Sequence, residues 1–177
     1  MFDIKKVKVG DTLLYRGEGI VSDGVELFTG GKYSHDSIVS KIQDDTVWII
    51  ESHIDTGVVE KILNPKWYKI IDIYRYNGKL KKGQMSKRIQ WLRSKIGCKY
   101  GLGDFPAAFI HSVIGGIFHL PWLRKMKPIL NNPDRYFCSE LDATSWYKIG
   151  INITPKVHYM NTTPNDMSKS KKLTRVA

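Results

Sequence analysis

Cysteine is scarce in this chain, and that scarcity excludes several chemistries at once. Its two cysteines, Cys98 and Cys138, form no CxxC pair. They are too few for a disulfide framework and wrongly spaced for a zinc site or a thioredoxin-like redox centre. No cofactor and no metal are expected. Long apolar runs are missing too, since none reaches the roughly 18 uncharged residues that a membrane-spanning helix needs. The first residues, MFDIKKVKVG, contain no apolar core and no small-residue cleavage site, so no signal peptide is expected. The expected location is the cytoplasm or the periphery of a membrane, where a working thiol stays reduced.

Acidic residues are absent between Asp72 and Asp104, while Lys79, Lys81, Lys82, Lys87, Arg88, Arg93, Lys95 and Lys99 crowd that stretch. A second basic group, Lys169, Lys171, Lys172 and Arg175, lies near the end, and the net charge is +11. Such a balance suits an anionic membrane or polymer. The plainer reading is a solvated helix face and a frayed basic tail. Nucleic acid is not the expected partner, because the aromatics do not interleave with the basic residues as a stacking platform requires.

With 177 residues, 42% of them hydrophobic, the chain suffices for one domain with a real core. Residues 11–16 read as a strand after a glycine turn, and Ser22 as the cap of a short helix ending at Gly30-Gly31. Stretches 35–42, 46–52, 57–63 and 67–76 are rich in Val, Ile, Tyr and Trp and read as antiparallel strands. Turns at Gln43–Asp45, Asn64-Pro65 and Asn77-Gly78 separate them. Met85, Ile89, Leu92 and Ile96 then form one stripe of an amphipathic helix that Gly97 stops. An apolar insert at about 104–134 follows, and a second helix is expected from Cys138 to Gly150. Strands followed by helices predict an α+β domain over 1–177, an antiparallel sheet or barrel with packed helices.

Cys138, in YFCSELDATSWYKIG, falls at the expected first turn of that helix. Unpaired N–H groups and the positive end of the helix dipole favour a thiolate there. Its own N–H and a neighbour's suit an oxyanion on an attacked carbonyl. Cys98 lies past the other end of a helix, where the dipole opposes ionisation. The plainer reading makes Cys138 a small buried hydrophobe. A thiol nucleophile also needs a base and a group to orient it. His35 opens a strand, and a turn at Gln43–Asp45 sets it roughly opposite Glu51–His53. Glu51 has the charge to stabilise an imidazolium, and His53 competes for that third place. His111 and His119 fall in the apolar insert, and His158 in a polar region.

In order, GDTLLYRG, TGGKYSHDSIV, VWIIES, IGCKYG, YFCSEL and TPNDMSKS resemble circularly permuted NlpC-type papain-like proteins, and most nearly their YiiX/YaeF-like branch. The similarity spans about Val9 to Ser170, with the histidine strand preceding the cysteine helix. It implies a permuted papain-like fold, Cys138 as nucleophile, His35 as base, Glu51 as third residue and Tyr100 lining the site near the oxyanion. The chain departs at Phe137, where unpermuted NlpC-type enzymes usually carry an aspartate, and in the long segment between Tyr100 and Cys138. The resemblance implies a hydrolase or acyltransferase working through an acyl-enzyme on peptide amides or on lipid esters and amides. The alternative is a non-catalytic binder of anionic membrane or polymer on the same shell. The apolar insert, followed by Arg124, Lys125 and Lys127, suits an anionic membrane face or a lid over an acyl chain.

Overall fold

The computed structural model describes residues 2–16, 31–101, 123–125 and 134–176. Strands β1 (Thr12–Arg16), β2 (His35–Gln43), β3 (Thr46–His53), β4 (Gly57–Ile62), β5 (Ile70–Tyr76) and β8 (Leu173–Arg175) form one antiparallel sheet in the order β4-β3-β2-β1-β5-β8. Helix α1 (Gln84–Arg93) and helix α2 (Cys138–Lys148) pack on one face. A short parallel pair, β6 (Lys99–Tyr100) with β7 (Arg135–Tyr136), lies between them in sequence, and α3 (Pro164–Ser168) precedes β8. This is the expected α+β architecture. The helix expected over 22–28 and the apolar insert, with His111 and His119, lie outside the described residues.

The alternation of side chains along each strand decides what lies where. Leu14, Ile38, Ile50, Val58 and Tyr74 face the helices, meeting Ile89 and Leu92 of α1 and Leu141, Ala143 and Trp146 of α2. Leu13, Tyr15, Val39, Ile49, Ile71 and Ile73 face the other way, covered by Phe2, Tyr68 and Val176. Central strand β1 is therefore buried on both sides, which is why its apolar residues run together rather than alternate. The pairing of β2 with β3 shifts register between Val39 and Lys41, the mark of a bulge.

Two expectations change. Ile96 lies beyond the end of α1 and is 45% exposed, because the helix stops at Arg93 before the stripe is complete. The basic tail is not frayed, for Leu173–Arg175 pairs with β5 and Arg175 makes a 2.7 Å ion pair with buried Asp72. Asp72 draws Lys32 as well, at 2.9 Å, so the tail's charge has a fixed partner.

Gly57 is held by its surroundings. Its φ is +68°, and an added Cβ would lie 2.2 Å from the carbonyl oxygen of Cys98, which also accepts from Val58 N–H at 2.8 Å. Gly57→Ala is expected to cost roughly 1–3 kcal/mol through this left-handed backbone alone. A lowered urea midpoint with an unchanged slope would register it.

Candidate functional site

Helix α2 begins at Cys138, so its thiol belongs to the first turn, where N–H groups have no intrahelical partner. The Glu140 carboxylate fixes this start by accepting from Phe137 N–H at 3.2 Å. The placement is the expected one, but the charge state is not. Burial pushes the Cys138 thiol well above its ordinary value, and the charge and hydrogen bond of neighbouring Asp36 push it further. The N–H groups of Asp36 and Ser139, both directed at the sulfur, offset only part of this. Desolvation, which position at a helix start does not reveal, is large for a thiol only 6% exposed.

Asp36 is the residue that the sequence analysis passed over. It is fully buried, and among the described residues neither carboxylate oxygen has a well-aligned hydrogen-bond donor. The Cys138 thiol adjoins it. Burial raises the carboxyl well above the usual range, and the charge of Asp142 adds to the rise. Parallel pairing of β6 with β7 sets Tyr100 beside Tyr136, two residues before Cys138. Burial, then the charges of Cys138 and Asp36, hold the Tyr100 phenol well above its ordinary value, so it keeps its proton beside the sulfur. The thiol side of the sheet thus gathers Cys138, Asp36 and Tyr100.

His35 and Glu51 meet on the opposite face. His35 pairs in register with Tyr15, whereas Asp36 pairs with Leu14, which packs under α2. His35 Nε2 lies 3.1 Å from Glu51 Oε2, and Lys61 Nζ lies 2.6 Å from Glu51 Oε1. Burial alone would raise the Glu51 carboxyl; His35 and Lys61 outweigh it and hold the value down to about 2. The His35 ring stacks on Tyr15 at 5.6 Å and meets His53 edge-on at 6.1 Å. His53 is 44% exposed and its Nδ1 lies 3.5 Å from Asp55, so the group in hydrogen-bond reach of His35 is Glu51. Among the described residues, no hydrogen bond joins Cys138 to His35, and the two stand back to back across β2. Cys98 is partly exposed, away from this group, and supports Gly57 through its carbonyl.

A buried ion pair underlies the thiol. Arg88 is wholly buried and pairs with Asp142; it donates to the carbonyl of Gly10 and the hydroxyl of Ser145 at 2.8 Å each. Its guanidinium lies 3.8 Å from the centre of the Trp146 ring, and Thr12 donates to Asp142 at 2.5 Å. The basic stretch 79–99 hid this residue among solvated lysines. The available signal was its place next to Ile89, on the apolar side of the helix.

No protein-family model matches the chain, and no curated protein matches it by sequence. Among solved structures, the metalloprotein yiiX of Escherichia coli O157:H7 matches with a TM-score of 0.66 and 17% identity, over 97% of each chain. The chain therefore has a YiiX-like fold. The neighbour's description as a metalloprotein runs against extending the expected absence of metal to this fold at large. Among the described residues, no group of three or more His, Cys, Asp or Glu is placed to hold an ion. The nearest grouping, His35, His53 and Glu51, already has the Lys61 ammonium on its carboxylate, where it would oppose a cation. Nor is any described helix long and apolar enough to cross a membrane.

Proposed function

We propose that this protein is a cysteine-nucleophile hydrolase or acyltransferase in which Cys138 attacks an amide or ester carbonyl. The observation that carries the reading is the sulfur in the first turn of α2 with the N–H groups of Asp36 and Ser139 directed at it. Those donors suit an anion on or next to the sulfur. The thiol transfers its proton to a base, the thiolate forms a thioester with the acyl group, and the leaving amine or alcohol takes the proton. Water or a second nucleophile then releases the acyl group. His35, held by ionised Glu51, is the proposed base, and its ring must leave Glu51 and turn to the α2 side of the sheet to meet the sulfur. Tyr100 is the proposed donor to the oxyanion. Peptide and lipid acyl groups both suit this chemistry, and the net charge favours a substrate carried on an anionic surface.

A second reading rests on the exposure of Lys79, Lys81, Lys82, Lys87 and Lys99, which gives a cationic face without chemistry. An electrophilic probe that carries an acyl group into the site, as a substrate would, separates the two readings. The enzyme reading expects labelling at Cys138 with Cys98 silent, abolished in Cys138→Ala and slowed roughly a hundredfold or more in His35→Ala. Equal labelling of both cysteines, indifferent to His35, would favour a non-catalytic binder.

A further inference from the structure

Two acidic groups, the Cys138 thiol and the Asp36 carboxyl, are buried side by side, and nearby positive charge is already committed. Asp36 faces Cys138 and Asp142 of α2, Arg88 of α1 and Tyr100 of β6, with Glu51 of β3 on the far side of the sheet and Asp11 beside Arg88. Arg88 is neutralised by its ion pair with Asp142, and Lys61 and His35 serve Glu51. Ionising either the thiol or Asp36 would place an uncompensated charge in a buried site. Among the described residues, neither oxygen of this fully buried carboxyl has a well-aligned hydrogen-bond partner. Nothing in the packing of β2 requires a carboxyl here, since its neighbours on this face are Leu14 and Ile38.

We propose that Asp36 is a positioning residue that keeps Cys138 protonated in the free protein, holding the nucleophile in reserve rather than as a standing thiolate. This rests on the reading of Cys138 as a nucleophile and adds a control to it. With one proton between two buried acids of like charge, the carboxyl restrains the thiol by repulsion of a second negative charge. The base must overcome that restraint, so thiol chemistry waits for a substrate that changes the surroundings of Asp36. The buried thiol is thereby spared adventitious alkylation and oxidation.

The test compares the protein with Asp36→Asn, both carrying Cys98→Ser, by ultraviolet thiolate absorbance across pH with Cys138→Ala as the blank. The rate of alkylation by iodoacetamide is followed in parallel. Asparagine keeps the shape but carries no charge, so the thiolate midpoint is expected to move to lower pH. At neutral pH, alkylation should quicken about tenfold for each unit of that movement. An unchanged or higher midpoint, or slower alkylation, would overturn the role of Asp36. The latter result would recast it as a base. If asparagine lowers the melting temperature enough to cloud the comparison, Asp36→Ser supplies the same loss of charge in a smaller side chain. A null shift leaves the enzyme reading standing, whereas failure of an acyl-bearing electrophile to label Cys138 in the protein that retains Cys98 counts against that reading while the absorbance titration still decides the part played by Asp36.

Discussion

Arg88→Ala is expected to destabilise the fold by about 3–5 kcal/mol, the usual cost of removing one partner of a buried ion pair. For a chain of this size that is a fall in melting temperature of roughly 6–20 °C. The reason is not the lost attraction alone. Asp142 would keep a buried charge without its ion-pair partner, and Asp36 would lose the positive charge of Arg88. The guanidinium also fills space between the Gly10 carbonyl and the Trp146 ring, so alanine leaves a cavity in addition. Arg88→Met with Asp142→Leu should recover most of the loss, because it removes both charges and keeps the volume. If the double variant melts as low as the single, the stranded carboxylate is not responsible, and the lost hydrogen bonds to the Ser145 hydroxyl and the Gly10 carbonyl are. Lys82→Ala, at an exposed position of the same basic stretch, should stay within about 0.5 kcal/mol.

The acid limb of stability should bear the signature of Glu51. Its carboxyl falls from 4.5 to about 2 on folding, because His35 and Lys61 favour the ionised form more than burial opposes it. A depressed acid stabilises the fold above its unfolded value and loses that contribution as pH falls through its folded value. The contribution is therefore complete above about pH 5, declines from 4.5 downward and is gone below about 2. At full strength it amounts to about 3 kcal/mol, and the side chain is buried, so solvent screens it little. Glu51→Gln should be less stable at neutral pH and show a flatter decline between pH 4.5 and 2 in urea titrations. Parallel curves for the two proteins would show that the His35–Glu51–Lys61 array contributes no such linkage. The same substitution separates orientation of His35 from catalysis, since stability is read without any substrate.

Strands proved easy to read because each carries its own evidence. β2 and β3 combine branched apolar residues with a tight turn, and the pairing of Ile38 with Ile50 brings His35 to Glu51 as expected. The start of α2 was equally plain, since Cys138 follows an extended Phe137 and precedes a run ending in Trp146. What stayed hidden depends on which side of the sheet a residue faces. Neighbours along a strand point to opposite faces, so bringing His35 to the hairpin's polar end also turns it away from α2 and turns Asp36 toward it. A local pattern names both residues without saying which one meets the thiol. Ionisation was hidden for a related reason, because the helix dipole is visible in sequence while burial of Cys138 is a property of the packed whole. The strand Leu173–Arg175 escaped because three residues, two of them charged or hydroxylated, offer no periodicity to read.

The bulge between Val39 and Lys41 has a consequence for how this chain tolerates length changes. It resets the phase of β2, so residues on its two sides keep independent alternations. Lengthening the Asp44-Asp45 tip would alter only the distal rungs of the hairpin and leave the assignment of His35 and Asp36 to their faces untouched. One residue gained or lost between His35 and Val39 would instead exchange them, sending the imidazole under α2 and the carboxyl to the Tyr15 side. Insertions should therefore accumulate beyond the bulge among relatives of this chain and be purged before it.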